Sequence, residues 1–389
     1  MRIIRRTTTI ITIIKKSIMT TGISPIFSTA KRMLAGIAAA ITVFTTASCG
    51  SDDYYNIEGY AQGGTYRITL EAGLEECRSL QKEVEKILSD IDNSISGYNP
   101  ASALSAFNGN VGEYGLQDGG LPESTPTAYS LGDKTAGRIF EDVLRISIDM
   151  HEETDGYFDV SAGALFDAWG FGFKEGIFPD STAIDSIKRF TGMDKIIFDN
   201  GRIVKTDPRV RLNFNAVAQG YTCDTIAGYL TGKGISNMLI NVGGEIFCKG
   251  LNPHGKNWTI GIDAPVDGNM ESGADIQTVI EIPCGENGKG VVTSGNYRKY
   301  YIRDGKKYAH TVNPKTGYPV EHNLLSATVI ADNAATADAL ATYMMVVGLE
   351  ESIKYVETHS SIEAVLIYEQ DGQMKTWMSP GVNVHPGKH

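Results

Sequence analysis

The sequence predicts an α+β fold, with strands and helices mixed along one chain and a ligand cleft among glycine-rich turns. Three observations carry this. Apolar residues recur at helical spacing in well-separated stretches, as at Leu80, Val84, Leu88, Ile91 and Ile95. Short runs rich in β-branched and aromatic residues lie between them, several joined by glycine or Asx-glycine pairs. Residues 56–379 show no internal repeat and no clear linker, so these stretches belong to one domain, 57–379.

The chain of 389 residues is long enough for a sizeable core. Its first 48 residues differ from the rest. They hold seven of the 35 basic residues and none of the 46 acidic ones. Lys31-Arg32 precede an apolar stretch, Met33 to Phe44, too short to span a bilayer comfortably, and Thr46-Ala47-Ser48-Cys49 follows. This pattern reads as a signal peptide cleaved before a lipidated Cys49, which would anchor an exported protein to a membrane facing the periplasm. Thr46 stands where a lipobox usually has leucine, and an ordinary signal peptide with an incidental cysteine is the other reading. Residues 49–56 form an acidic tether and 380–389 a tail. Without the leader the net charge is −18, which argues against nucleic-acid binding. Cys77, Cys223, Cys248 and Cys284 form no CxxC pair, so a zinc site is not indicated; which of them pair as disulfides is open.

In order, Glu58 to Leu70 reads as two strands about Gln62-Gly63-Gly64. Glu75 to Ile95 is an amphipathic helix stopped by Gly97-Tyr98-Asn99-Pro100. Phe107 to Asp133, rich in Gly, Pro, Ser and Asp, reads as a long loop. Lys134 to Glu153 is a second helix. Trp169-Gly170-Phe171-Gly172 interleaves glycine with aromatics, which suits a tight core corner better than a planar-ligand site. Ser181 to Phe190 is a third helix, and Lys195 to Val204 a hairpin about Asn200-Gly201. Val210 to Phe214 reads as a strand running into Asn215–Tyr221, with a helix from there to Leu230. Small residues between strand end and helix start let backbone N–H groups approach an anion. Strands then flank Gly243-Gly244, and Trp258 to Pro265 is another.

Val291 to Val320 is the densest stretch. A β-branched run ends in a Thr293-Ser294-Gly295 turn. A hairpin follows, Tyr297 to Ile302 and Tyr308 to Val312 about Asp304-Gly305, with His310 on its returning strand. Asn313-Pro314 and Thr316-Gly317-Tyr318-Pro319 force two tight turns. This crowding suits a site gripping a polar ligand. Leu325 to Ala331 is a strand, Ala334 to Val347 a helix, and Ala364 to Met378 a hairpin. Asp338 and Thr342 share one helix face. Carboxylate plus hydroxyl is a hard-oxygen pair suited to Mg²⁺; an Asp favoured by the helix dipole, with a Thr bonded back to its own helix, is the plainer reading.

Several motifs in one order resemble the ApbE family, the FAD:protein FMN transferases. They are Gly64-Thr65-Tyr66, Asp159-Val160-Ser161 with Trp169–Gly172, Asn215–Tyr221 with Asp224, Asn241–Glu245, Thr293–Tyr297, His310–Pro319 and Ala337–Thr342. The resemblance implies a mixed α+β catalytic domain that takes FAD, passes its FMN half to a threonine hydroxyl on another protein as a phosphoester, and releases AMP with Mg²⁺ assisting. It implies metal ligands at the Ala218 carbonyl, Asp338 and Thr342. Flavin contacts fall at Tyr66, Tyr98, Asp159, Asn215, Tyr221 and the backbone near Thr311 and Val312. His310 is the candidate base, having a side chain that ordinarily titrates near neutral; a structural histidine on a strand is the alternative. Acceptors implied are subunits of the sodium-translocating NADH:quinone reductase, of Rnf-type complexes, or other exported flavoproteins. Two departures stand out: Asn213 and Asn313 where the family often has Asp. Other readings of the same site are an FAD pyrophosphatase giving FMN and AMP, and an FAD-binding lipoprotein without chemistry.

Overall fold

The computed structural model describes residues 54–109, 127–130, 135–173, 178–199, 202–266, 275–296, 300–303 and 306–385. The leader and Cys49 lie outside them, as does the Asp304-Gly305 turn.

The frame is an antiparallel sheet of eight strands in the order β1-β2-β6-β7-β10-β13-β14-β15. These are β1 (Tyr54–Ala61), β2 (Gly64–Glu71), β6 (Met238–Val242), β7 (Glu245–Lys249), β10 (Lys289–Gly295), β13 (Leu324–Ala331), β14 (Glu363–Gln370) and β15 (Gln373–Met378). The acidic tether thus already enters the first strand. Period-two burial drives the outer strands: Tyr66, Ile68 and Leu70 are buried on β2, and Arg67 and Thr69 are not. On the central strand β7 the residues Ile246, Phe247 and Cys248 are all buried, because both faces are covered.

One face packs under helices α1 (Leu74–Ile95), α6 (Ala218–Gly232) and α7 (Ala334–Val347). α7 is buried nearly all round, with Ala334, Ala335, Ala337, Ala339 and Ala341 letting strands and helices approach closely. The other face is covered by β8 (Trp258–Asp263) and β9 (Ile276–Ile282), with Trp258, Ile260, Ile262, Ile280 and Ile282 in its apolar core. The expected tail joins this layer, since β16 (Asn383–Val384) pairs with β9.

Helices α3 (Thr135–Glu153) and α5 (Ser181–Lys188) match the periodicity. α2 (Ala103–Gly109), α4 (Gly163–Trp169) and α8 (Leu349–Thr358) are too short or too weakly patterned to have been read. The expected loop over 107–133 is partly regular: α2 covers its start, and β3 (Thr127–Ser130) pairs with β5 (Arg202–Lys205), which also pairs with β4 (Ile196–Asp199).

Two strand readings need correction. Val210 to Phe214 is not a ladder strand. Val210, Leu212 and Phe214 are buried, but the segment makes only an isolated bridge, Ala162 to Arg211. On one side Arg211 and Asn213 bond the backbone of Gly163 and Val160, at 3.2 and 2.8 Å; on the other the Asn108 amide serves Leu212, donating to its carbonyl at 2.8 Å and accepting its N–H at 2.9 Å. Thr293-Ser294-Gly295 is not a turn. It finishes β10, opposite Thr328, Ala327 and Ser326 of β13, and the Thr293 and Thr328 hydroxyls lie 2.8 Å apart.

Candidate functional site

The extended segment meets α6 through a side-chain turn. Asn213 is buried, and its Oδ1 accepts the Asn215 N–H at 2.9 Å. Asn313 does the same in its own turn, accepting from Lys315 N–H at 2.9 Å and Thr316 N–H at 3.2 Å. At both positions the amide oxygen performs a carboxylate's turn-forming role without its charge.

Within α6 the Ala218 carbonyl accepts the Thr222 hydroxyl at 2.7 Å. Gly220 is the third residue of α6, so its N–H is one of the first-turn donors without an intrahelical acceptor. It is satisfied across the crossing by Asp338 Oδ2 on α7, at 3.1 Å. A Cβ at Gly220 would stand 2.3 Å from the Ala334 carbonyl oxygen, so only glycine permits this crossing.

Asp338 is 4% exposed. Burial first, and then the Glu245 and Asp224 carboxylates, hold its carboxyl well above the usual range; the Gly220 N–H opposes them. A buried carboxylate in a negative field is a place for a cation. Thr342 is half-buried one turn on. Thr222 and Thr225 bond back to the carbonyls of Ala218 and Tyr221, but among the described residues the Thr342 hydroxyl makes no such bond. That weighs against the plainer reading of the pair. No three His, Cys, Asp or Glu side chains form a cage among the described residues. A cation here would complete its shell from Thr342, backbone carbonyls and ligand phosphates, as suits Mg²⁺.

Two motif residues acquire roles that spacing alone did not assign. Asp224 caps α7 across the crossing, accepting the N–H groups of Ala334 and Ala335 at 2.8 Å each. Burial pushes its carboxyl up to about 6 against the pull of those bonds. Glu245 opens β7 beside the Gly243-Gly244 turn, where the Gly243 N–H donates to the Thr65 carbonyl at 3.0 Å. Presence in a short motif was the one sequence signal for either residue. A small cleft of about 50 Å³ opens here, lined by Gly243, Gly244, Glu245, Gly261, Asp263, Val291 and Thr293 among others.

The second cluster is the hairpin β11 (Tyr300–Arg303) and β12 (Lys306–Ala309). His310 stands one residue beyond β12 rather than on it, its ring centroid 6.4 Å from that of Phe171. Trp169 supports this segment: it stacks on Tyr308 at 5.9 Å, and its indole N–H donates to the Gly317 carbonyl at 2.8 Å. Gly317 has φ +83°, and a Cβ there would lie 2.6 Å from Ile184. The Trp169–Gly172 stretch is thus a packed corner. Thr311 bonds Asn296 Oδ1 at 2.8 Å, and Val312 is buried in a bridge with Pro319.

The remaining flavin candidates divide. Tyr98 is 67% exposed, stands edge-on to Phe173 at 5.0 Å, and its hydroxyl accepts from Asn215 Nδ2 at 3.4 Å, making an open aromatic wall beside the α6 turn. The other three are engaged with groups of the protein itself. Tyr66 is buried in the core under the helices, and burial pushes its phenol up to about 12. Asp159 accepts the Ser161 N–H at 2.8 Å and its hydroxyl at 2.5 Å; burial still raises its carboxyl. The Tyr221 hydroxyl turns toward α3, donating to Asp142 at 3.2 Å.

A family model described as the ApbE family matches residues 62–366. The FAD:protein FMN transferase of Escherichia coli (strain K12) is 32% identical over 332 residues, 83% of this chain and 87% of that protein. The enzyme of that name from Haemophilus influenzae is 30% identical over 352 residues, 88% of this chain and 95% of that one. Among solved structures, the flavin transferase ApbE from Vibrio cholerae superposes with a TM-score of 0.69 at 28% identity, covering 84% of this chain and 97% of that chain. The apo form of the Pseudomonas stutzeri flavinyl transferase ApbE gives 0.70 at 28% identity, covering 86% and 97%.

Proposed function

The chain belongs to the ApbE family, and from that premise we propose how its own residues move the FMN half of FAD onto an acceptor protein. It is a flavin transferase that draws on FAD. The acceptor atom is a threonine hydroxyl. Its oxygen attacks the phosphorus of the FMN half, the bridging P–O bond to the AMP phosphate breaks, and AMP leaves. His310 takes the threonine proton. The α6 turn aims its backbone at the pyrophosphate, and Tyr98 with Asn215 forms the open wall beside it.

Asp338, Thr342 and the Ala218 carbonyl would hold Mg²⁺, which would supply charge neutralisation on the pyrophosphate. The observation that supports this most is the bond from the first-turn Gly220 N–H to Asp338 across the crossing. It orients a buried Asp338 carboxylate that lacks any basic side-chain hydrogen-bond partner among the described residues.

The leader is removed before Cys49, and lipid on that cysteine holds the enzyme at a membrane facing the periplasm. Acceptors would be exported or membrane flavoproteins, of which sodium-translocating NADH:quinone reductase and Rnf-type subunits are the first to try. Labelled palmitate incorporated into the native chain and lost in Cys49→Ala is expected.

The deciding experiment incubates an acceptor domain with the protein, FAD and Mg²⁺, and weighs the acceptor. A gain of one FMN on threonine is expected, with Asp338→Ala slowing it roughly a thousandfold. Free FMN and AMP with no mass gain would replace transfer by pyrophosphate hydrolysis, and intact bound FAD would leave only binding.

A further inference from the structure

Four cysteines remain beyond Cys49, and the fold sorts them by face. Cys77 on α1 and Cys223 on α6 lie in the core beneath the helices. Cys248, on β7, and Cys284, two residues past β9, lie in the core on the opposite face of the sheet. The sheet itself stands between the two sets. Cys223 is already engaged, its thiol donating to the Glu245 carbonyl at 3.3 Å.

Cys248 and Cys284 are brought together by the backbone around them. Cys248 stands opposite Lys289 in the β7–β10 ladder. The Gly250 N–H donates to the Gly285 carbonyl at 3.1 Å, and the Gly288 N–H to the Cys284 carbonyl at 3.0 Å. These bonds pin both segments and leave the two sulfurs 3.0 Å apart in a buried contact. Each thiol also has a backbone carbonyl beside it, Ile282 at 3.2 Å for Cys284 and Lys289 at 3.7 Å for Cys248, so a small side-chain adjustment and an oxidant would bring the sulfurs to bonding distance.

We propose that Cys248 and Cys284 close a disulfide that fastens β7 to the β9–β10 connection. The oxidant is a second disulfide, carried by a thiol–disulfide oxidoreductase or by oxidised glutathione. One thiolate attacks it to form a mixed disulfide, and the other displaces the carrier. The two cysteines give up two protons and two electrons, and the carrier leaves as two thiols. The bond forms during folding, before the apolar layer of β8 and β9 closes over both sulfurs. It closes the loop that contains β8 and β9, and so removes freedom from the unfolded chain. It also fixes the spacing of β7 and β10 at one end, while their other ends, at Glu245 and Thr293, line the cleft.

The test unfolds the full chain, refolds it in mixed oxidised and reduced glutathione, blocks free thiols with iodoacetamide, and maps peptides. The expected result is a linked Cys248–Cys284 peptide, about 2 Da lighter than the reduced pair, with Cys77 and Cys223 alkylated. Adding a reductant to the refolded protein should lower its melting temperature by roughly 5 °C. Cys77→Ala should keep that reductant response, and Cys284→Ala should lose it. Alkylation of both Cys248 and Cys284 after refolding, or a bridge involving Cys77 or Cys223, would overturn the proposal. Should Cys284→Ala fail to fold, the peptide map and the reductant shift of the unaltered chain decide alone.

Discussion

The α6–α7 crossing and the aromatic corner beneath the hairpin hold their candidate functional groups by opposite means. At the crossing, Asp338 sits buried among Glu245 and Asp224, held by one backbone N–H. At the corner, His310 stands outside regular structure and its surroundings are fixed by apolar packing, Trp169 against Tyr308, Phe178 and Tyr318. The crossing carries charge that the fold alone does not stabilise; the corner carries stability and lends position. A site acting on a pyrophosphate needs both, a charged pole that a ligand completes and a rigid wall that orients.

Substitutions of similar reach should therefore give opposite signatures. Trp169→Ala removes a ring 5% exposed and should cost about 3–5 kcal/mol of stability. Transfer should fall with it, because the Gly317 carbonyl loses its donor. Chemical denaturation reads the first effect. An unchanged midpoint would mean that the corner is not supported from below.

Asp338→Asn should reverse the pattern, with transfer roughly a thousandfold slower and no loss of stability in the metal-free protein. Mg²⁺ should raise the melting temperature of the parent chain and leave that of Asp338→Asn where it was. A Mg²⁺ response retained by the variant would remove Asp338 from the ligand set.

The smallest effect is one of pH. The Asp224 carboxyl is raised to about 6 in the fold and stands near 3.9 when unfolded. The folded state then binds the extra proton between these values. The stability contributed by Asp224 is complete below the lower value and is lost as pH rises through about 6, at most a few kcal/mol. Asp224→Asn should flatten that part of the stability–pH curve while still offering one acceptor to the α7 N-terminus. A slope unchanged in the variant would assign it to another group.

How far these regions could be read in advance differs for physical reasons. The Asp338–Thr342 pair and the helix bearing it were legible, since helical spacing places both on one face. Gly64-Thr65-Tyr66 was legible as a motif, but not that Tyr66 is turned into the core, because a half-buried strand pattern does not say which side a ligand will occupy. The returning strand, expected over Tyr308 to Val312, runs Lys306–Ala309 and leaves His310 one residue outside it, at a boundary where a strand simply stops pairing. Val210 to Phe214 has the alternation of a strand but pairs only through a short bridge to residues 160–163, with Asn108 serving Leu212 on the other side.

By itself the sequence determined the α+β class, the periodic helices, most of the strands, and the family whose motifs it carries. Those are properties of neighbours along the chain, where backbone geometry sets period and turn. Only the tertiary structure decided that the Gly220 N–H meets Asp338, that Asp224 caps a helix 110 residues away, and that Cys248 meets Cys284 rather than Cys77 or Cys223. Such contacts join residues brought together by packing, and spacing along the chain holds no record of which buried groups will face each other once the sheet closes.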